Sequence, residues 1–189
     1  MEIKSICVFC GSSLGANSEY SEQAEKLGKY LAENKITLIY GGGSIGIMGR
    51  ISQAVMNNGG KVIGVIPELI NDKVEHDNIT ETIVTKDMHS RKKKMYDLSD
   101  AFIALPGGIG TIEEISEIFT WQQIGYHAKA VGLLNINSYY DKFLSFLDNV
   151  VSNGFMKDIH RQRLLCSNNI ENLFSLINNF DGMTISKWS

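Results

Sequence analysis

Short runs of apolar, β-branched residues alternate along the chain with longer stretches in which apolar and polar positions follow a helical period. The short runs predict strands at 3–9, 36–40, 61–66, 81–84, 101–106, 130–136 and 163–167. The longer stretches predict helices at 18–34, from the glycine-rich turn after residue 40 to about 58, and at 88–97, 111–124, 138–153 and 170–179. Residues 181–189 are expected to form a frayed tail.

Strands that are apolar throughout, each followed by a helix, are typical of a parallel sheet covered on both faces. We therefore predict an α/β fold, a single Rossmann-like, doubly wound parallel sheet with helices on both faces, over residues 1–180. The length of 189 residues fits one domain, and the sequence contains no internal repeat, low-complexity tract or linker.

The composition is that of an ordinary globular protein, with 43% hydrophobic residues, 21% charged residues and a net charge of −3. The basic run at 91–94 is too short to attract polyanions to a chain of this charge, so no nucleic acid is expected as a partner. The sequence has no apolar run of about 18 residues and no signal-peptide pattern. We therefore expect no membrane association and a cytoplasmic location.

The cysteines and histidines do not indicate a metal site or redox chemistry. Cys7 and Cys10 form a C-x-x-C pattern, but they lie on a predicted strand, where residues three apart point to opposite faces. The third cysteine, Cys166, has no second pair to join, and the four histidines show no ligand spacing. We therefore predict buried or half-buried thiols, no metal and no cofactor.

Glycine-containing or small polar turns follow three of the predicted strands, with the sequences CGSSLG, YGGGSIGIMG and LPGGIGT. These turns fall at the carboxyl ends of parallel strands, where open α/β sheets bind ligands. Glycine lets backbone amides approach a ligand closely, and amides at a helix N-terminus bind anions. The alternative is that the glycines serve only close packing of strand and helix. A nicotinamide site is disfavoured, because its G-x-G-x-x-G pattern belongs in the first turn.

The stretch LPGGIGTIEE combines glycines that suit a phosphate with two carboxylates, Glu113 and Glu114, that would repel one. One interpretation is structural, because Thr111 and Glu114 match the T-x-x-E capping box and acidic residues suit the start of a helix. The other is functional. Glu117 adds a third carboxylate to the same helical face, and such neighbours repel each other by roughly a few tenths of a kcal/mol. A site for a cationic sugar would benefit from this cluster.

A second polar segment, MHSRKKKM, begins the helix predicted at 88–97. Lys93 and Lys94 fit a solvated helix surface. Arg91 differs, because it lies one predicted strand upstream of the LPGGIGT turn and its planar guanidinium suits phosphate or hydroxyl groups. We therefore single out Arg91 as a candidate site residue.

Together the two segments resemble the paired motifs P-G-G-x-G-T-x-x-E and M-H-x-R-K of the LOG ("lonely guy") family, which are cytokinin riboside 5′-monophosphate phosphoribohydrolases also labelled lysine-decarboxylase-like. The resemblance covers almost the whole chain and includes VFCGSSLGANSEY, GVIPELI and TWQQIGYHAKAVGLLNINSYYD. It implies a Rossmann-like homodimer that cleaves the N-glycosidic bond of nucleoside 5′-monophosphates to a free base and ribose 5-phosphate. Members act on cytokinin nucleotides, AMP or other monophosphates, and the sequence does not determine the preferred base.

The resemblance also implies roles for individual residues. It places the catalytic pair at Arg91 and Glu114, and nucleotide-binding residues at Lys92, Gly107, Gly108, Gly110, Thr111, Glu113 and Thr120. The other two glycine turns and the expected surroundings of the sugar and base add the substrate-binding candidates Gly11, Ser12, Gly42, Gly43, Gly46, Met88 and Glu117. One departure lies in the 70s loop, where alignment on His76 puts Lys73 at the place of a family glutamate, with Glu75 nearby.

A substrate with two charged ends accounts for the mixed character of LPGGIGTIEE. Amides around Gly107, Gly108, Gly110 and Thr111, with help from the loop at 41–49, would bind the phosphate, while Glu114 would face the ribose. There it would either stabilise the oxocarbenium-like transition state or orient the attacking water. Arg91 would fix the orientation of the sugar, and Glu113 or Glu117 would bind ribose hydroxyls or position Glu114.

Two other functions stay open at this point. A non-catalytic nucleotide or cofactor carrier uses the same kind of fold. A pyridoxal-phosphate decarboxylase needs a lysine that forms a Schiff base, and the lysines at 92–94 are the only cluster near the predicted site. The implied homodimer finds support in FTWQQIGYH, where Phe119 and Trp121 lie two apart on a helix and cannot both face the same layer.

Overall fold

The computed structural model of the chain describes residues 2–71 and 78–184. The predicted departure at Lys73, Glu75 and His76 lies outside the described residues, and so do residues 185–189 of the predicted tail.

Seven strands and eight α-helices make up the described part of the chain. The strands are β1 (Ser5–Phe9), β2 (Thr37–Tyr40), β3 (Val62–Pro67), β4 (Glu81–Thr85), β5 (Ala101–Ala104), β6 (Val131–Leu134) and β7 (Leu164–Ser167). The helices are α1 (Ser18–Glu33), α2 (Gly46–Asn57), α3 (Glu68–Asn71), α4 (Met88–Asp97), α5 (Ile109–Gln123), α6 (Asp141–Ser152), α7 (Asp158–Arg161) and α8 (Ile170–Asn178).

The strands form one parallel sheet in the order β4-β3-β2-β1-β5-β6-β7. One apolar cluster packs α1, α2 and α8 against one face, and a second packs α4, α5 and α6 against the other. This arrangement confirms the predicted doubly wound α/β fold, because a parallel sheet of apolar strands must bury both faces.

The order of the strands reverses between β1 and β5, since β1 leads by way of α1 to β2 on one side and β5 leads by way of α5 to β6 on the other. In doubly wound sheets a crevice opens at such a point, between loops that leave the sheet in opposite directions. Here those loops are the CGSSLG and LPGGIGT turns. The topology therefore places two of the three glycine turns on either side of one crevice, with the third beside them.

The start of α6 and the two shortest helices differ from the sequence prediction for identifiable reasons. Helix α6 begins at Asp141 and not at Ser138, because Asn137 and Ser138 have φ values of 51° and 58°, which an α-helix cannot contain. A 3-10 turn, Ile136–Ser138, occupies that segment instead. The short helices α3 and α7, of four residues each, were not predicted, because one helical turn is too short to show a period.

The cysteines lie as predicted on opposite faces of β1 and its extension, with Cys7 in one apolar cluster and Cys10 in the other. Both thiols are buried, and burial raises the pKa of each. Within the described ranges, no group of three His, Cys, Asp or Glu residues has the geometry of a metal site. No helix in the same ranges combines the length and apolar character that are needed to cross a bilayer.

Candidate active site

Backbone hydrogen bonds join the three glycine turns to one another through Gly11. Its N–H donates to the carbonyl of Pro106 at 3.1 Å. Its own carbonyl accepts from the N–H groups of Ile47 and Met48, in the first turn of α2, at 3.1 and 3.3 Å. Because these amides already have an acceptor, the N-terminus of α2 is not an open anion site.

Several of the predicted substrate-binding glycines have a packing role. A Cβ added to Gly46, where φ is +63°, would lie 2.2 Å from the backbone of Ser12, and one added to Gly107 would lie 2.1 Å from the hydroxyl of Thr111. Gly42 also has positive φ, +79°, and packs against Ile66. Close packing, the alternative interpretation, therefore applies to these positions, and contact of Gly11, Gly42, Gly43 or Gly46 with substrate stays a prediction.

Unlike the N-terminus of α2, the N-terminus of α5 has amides that are free to bind an anion. Gly108 is its N-cap residue, with no side chain to cap the helix, and the amides of Ile109, Gly110 and Thr111 have no acceptor among the described residues. A Cβ added to Gly108 or Gly110 would meet no described atom within 4 Å, so both glycines border open space. Unused amides with a favourable helix dipole make this turn an anion site.

The capping-box interpretation of Thr111 and Glu114 is wrong. Helix α5 begins at Ile109, two residues earlier than predicted, so Thr111 lies inside the first turn and is buried. Gly108, and not Thr111, occupies the N-cap position. The carboxylate of Glu114 accepts a hydrogen bond from Arg91 instead of returning to the start of its own helix.

Arg91 and Glu114 form the central ion pair of the site. The guanidinium Nη1 of Arg91 donates to Oε1 of Glu114 at 2.8 Å, and Nε donates to the carbonyl of Val65 at 3.0 Å. The side chains of the pair are only 12% and 14% exposed. Asp87 caps α4 by accepting from the N–H of Ser90 at 2.7 Å, which fixes the helix that carries Arg91.

Burial raises the pKa of Glu114 above its usual value, although the Arg91 guanidinium acts in the opposite direction. Its Oε2 atom has no partner among the described residues, and neither has Nη2 of Arg91. The pair therefore offers one acceptor and one donor to a ligand, within a setting that favours proton transfer to the carboxylate.

Lys92 connects α4 to the other two carboxylates of α5. Its ammonium donates to Glu113 at 2.7 Å and to Glu117 at 3.0 Å. Burial acts to lower the pKa of Lys92, but its hydrogen bonds to Glu113 and Glu117 and the negative charges of these two carboxylates outweigh burial and raise that pKa. The Lys92 ammonium offsets the repulsion between Glu113 and Glu117, so the acidic cluster by itself does not indicate a site for a cationic sugar.

Of the other predicted site residues, Met88 lies beside the Arg91–Glu114 ion pair and Thr120 does not. Met88 is 43% exposed and its sulfur lies 3.4 Å from Nη1 of Arg91, while Ser12 is exposed in the turn after β1. Thr120 is exposed six residues beyond Glu114, and its hydroxyl donates to the carbonyl of Ser116 at 2.7 Å. The structure therefore brings Met88 to the ion pair and does not bring Thr120 there.

Three contributors to the site were missed in the sequence. Gly41 lies against the Arg91 guanidinium, since an added Cβ would be 2.5 Å from Nη2. Val65 supplies the carbonyl that holds Nε, and the hydroxyl of Tyr139 donates to the carbonyl of Gly107. The glycine run at 41–43 was visible in the sequence, but the backbone carbonyl and the distant tyrosine carry no local signal.

Comparison with known proteins identifies close relatives of the chain. A family model described as "Possible lysine decarboxylase" matches residues 48–177, a range that contains both Arg91 and Glu114. The probable cytokinin riboside 5'-monophosphate phosphoribohydrolase LOGL9 of Oryza sativa subsp. japonica is 50% identical over 157 residues, which cover 82% of this chain and 69% of that protein. The cytokinin riboside 5'-monophosphate phosphoribohydrolase LOG1 of Arabidopsis thaliana is 47% identical over 180 residues, or 95% of this chain and 84% of that protein.

Solved structures share the fold at lower identity. The molybdenum cofactor binding protein from the phototrophic bacterium Rippkaea orientalis superposes with a TM-score of 0.71 at 25% identity, covering 94% of this chain and 97% of that one.

Proposed function

The chain belongs to the LOG family of cytokinin riboside 5′-monophosphate phosphoribohydrolases, and on this premise we propose that it hydrolyses the N-glycosidic bond of nucleoside 5′-monophosphates. The products are a free base and ribose 5-phosphate. The observation that carries the proposal is the buried Arg91–Glu114 ion pair beside the open N-terminus of α5, because this places an anion site next to a carboxylate.

In the proposed mechanism the phosphate binds to the free amides at the start of α5, from Gly108 to Thr111. The ribose then lies over the first turn of the helix, near Glu114. As the bond between C1′ and the base breaks, its electron pair leaves with the base and the ribosyl ring gains positive charge. The carboxylate of Glu114 stabilises that charge or accepts a proton from the water that attacks C1′.

Arg91 has two roles in this proposal. Its bonds to Glu114 and to the Val65 carbonyl hold the carboxylate and the guanidinium in one geometry. Its Nη2 group is then available to bind a ribose hydroxyl or the departing base. The raised pKa of Glu114 makes it a stronger base toward water than an ordinary glutamate.

The lysines near the site do not suit the decarboxylase activity that the description of the family model names. A Schiff-base lysine needs a lowered pKa, whereas the pKa values of Lys92 and Lys93 are raised by bonds to Glu113, Glu117 and Asp97. These bonds count against Lys92 and Lys93 as Schiff-base lysines.

A homodimer is the proposed assembly, as the family resemblance implies. Phe119 is buried in the apolar cluster beneath α5, whereas Trp121 is half-buried between Tyr96 and Tyr126, with ring centroids 5.4 Å apart in each pair. Ile124 and Tyr126 are 43% and 55% exposed at the end of this helix. We propose that this apolar surface, which we call the α5-end surface (Trp121, Ile124 and Tyr126), contacts the second copy.

The direct test of the activity is release of adenine from AMP, followed by chromatography, in wild type and in the Glu114→Gln and Arg91→Ala variants. Each variant is expected to lose about 100-fold or more in kcat, because each removes a group that acts on the transition state. Circular dichroism checks that both variants stay folded. Near-normal turnover by Glu114→Gln would contradict the assignment of Glu114.

The same experiment separates the hydrolase from a carrier. The Rippkaea orientalis protein, which shares the fold, is described as a cofactor-binding protein. A nucleotide or cofactor carrier of this kind would bind AMP without releasing adenine. A panel that includes isopentenyl-AMP would show which base is preferred.

A further inference from the structure

Two consecutive tyrosines bind carbonyls on the glycine loop from outside it. The hydroxyl of Tyr139 donates to the carbonyl of Gly107, and the hydroxyl of Tyr140 donates to the carbonyl of Leu105 at 2.6 Å. Both follow Asn137 and Ser138, which have positive φ values of 51° and 58°. Residues with side chains rarely adopt that conformation, so its occurrence twice in succession marks a segment held by its surroundings.

The bond from Tyr139 fixes the direction of an amide. The carbonyl of Gly107 and the N–H of Gly108 belong to one planar trans peptide group, so they point in opposite directions. With the carbonyl turned toward Tyr139, the N–H of Gly108 points away from the tyrosine. Gly108 is the N-cap residue of α5 and borders open space, at the end of the helix where the amides have no acceptor.

This peptide group needs an external anchor, because a glycine lies on each side of it. Without a Cβ on either residue, rotation of the peptide plane meets little steric resistance. The Tyr139 ring itself is held in place by edge-to-face contacts with Tyr20 and Tyr140, whose centroids lie 5.7 and 5.1 Å away. A fixed hydroxyl therefore selects one of the orientations that the glycines would otherwise allow.

We propose that Tyr139 is a positioning residue for the phosphate group of the substrate: its hydroxyl holds the Gly107–Gly108 peptide with the amide of Gly108 directed at the anion. The proposal rests on the function proposed above and assigns the orientation of that site's phosphate-binding loop to a residue outside the loop.

Tyr140 provides a matched control in the same loop. The carbonyl that it binds, that of Leu105, shares its peptide group with the nitrogen of Pro106, which carries no hydrogen. The Tyr140 bond therefore orients no donor. Because Tyr140 is fully buried, its loss should lower stability instead.

The test compares wild type, Tyr139→Phe and Tyr140→Phe by calorimetric binding of ribose 5-phosphate, by AMP kinetics and by melting temperature. For Tyr139→Phe we expect Kd for ribose 5-phosphate and KM for AMP to rise about tenfold, the effect of one misdirected hydrogen bond to a charged group. Its kcat should change by no more than about twofold, because phosphate binding is uniform between ground and transition states. For Tyr140→Phe we expect a lower melting temperature and a wild-type Kd.

Either of two results in the variants would overturn the proposal: a wild-type Kd in Tyr139→Phe, or an equal loss of affinity in Tyr139→Phe and Tyr140→Phe. Absence of ribose 5-phosphate binding in wild type would also overturn it. If the wild type binds ribose 5-phosphate but releases no base from AMP, the proposed hydrolase function fails, and the difference in Kd between the variants still decides the role of Tyr139.

Discussion

At the scale of single residues, the site depends on a glycine, which leaves space for a neighbouring side chain, as well as on the charged side chains themselves. The guanidinium of Arg91 lies where a side chain on residue 41 would be, and its Nε is held by the backbone of Val65. The position of this cation is therefore set by a glycine and a carbonyl, in addition to its partner Glu114.

The Gly41→Ala variant tests this dependence. The added methyl group would lie 2.5 Å from Nη2 of Arg91 and 3.3 Å from the sulfur of Met48, so the guanidinium must move. We expect kcat for AMP hydrolysis to fall about 100-fold, since a shift of about 1 Å in a catalytic group has this effect. Steady-state kinetics provide the measurement.

Gly59→Ala serves as the control for Gly41→Ala. Gly59 has φ of +73° in the turn after α2, and its added Cβ would meet no described atom within 4 Å. Backbone strain should destabilise this variant by about 1 kcal/mol while its kcat stays at the wild-type value. Wild-type kcat in Gly41→Ala would show that the missing side chain does not position Arg91.

At the scale of elements, α5 is held at both ends by groups from other segments. Just before its N-terminus the hydroxyl of Tyr139 donates to the carbonyl of Gly107, and near its C-terminal end the carbonyl of Ile118 is 3.0 Å from Nε2 of His127. The N–H of Lys129 donates to Nδ1 of the same ring at 3.1 Å. Because one ring nitrogen faces an acceptor and the other faces a donor, the neutral ring with its hydrogen on Nε2 fits both contacts.

His127 should make stability depend on pH. Burial lowers the pKa of His127 to about 4, and the nearby Lys129 ammonium acts in the same direction. The unfolded chain takes up a proton below about pH 6.5, and the folded chain does so only near its lowered pKa, so stability is lost as the pH falls through this interval. We expect the free energy of unfolding to fall by about 2 kcal/mol between about pH 7 and about pH 5 from this residue.

Urea unfolding of wild type and His127→Gln at both pH values measures that contribution. The glutamine amide is able to donate to the Ile118 carbonyl but does not titrate, so the pH dependence of the variant should be weaker by about 2 kcal/mol. Equal pH dependence in the two proteins would show that His127 does not remain neutral in the folded state.

At the scale of the whole molecule, the molecular mass in solution tests the proposed dimer. Light scattering should give twice the 21.0 kDa of one chain. The double variant Ile124→Glu with Tyr126→Asp should reduce the mass to that of one chain, because it places charges on the apolar α5-end surface. Phe155→Asp, at a residue that is 83% exposed elsewhere, should leave the mass unchanged. A single-chain mass for the wild type would refute the dimer.

The sequence by itself determined the sheet, its parallel direction, the helices on both faces and the pair of motifs that carry Arg91 and Glu114. These properties follow from local periodicity and from the need of apolar strands to be buried on both faces, so they can be read from neighbouring residues.

Only the tertiary structure decided which glycine turn has free amides, because the carbonyl of Gly11 accepts hydrogen bonds from the amides at the start of α2, while the amides at the start of α5 have no acceptor among the described residues. It also decided that Glu114 pairs with Arg91 and that Tyr139 binds the Gly107 carbonyl. Such contacts join residues 23 and 32 positions apart, and their geometry depends on how strands and loops meet in space, which no local pattern records.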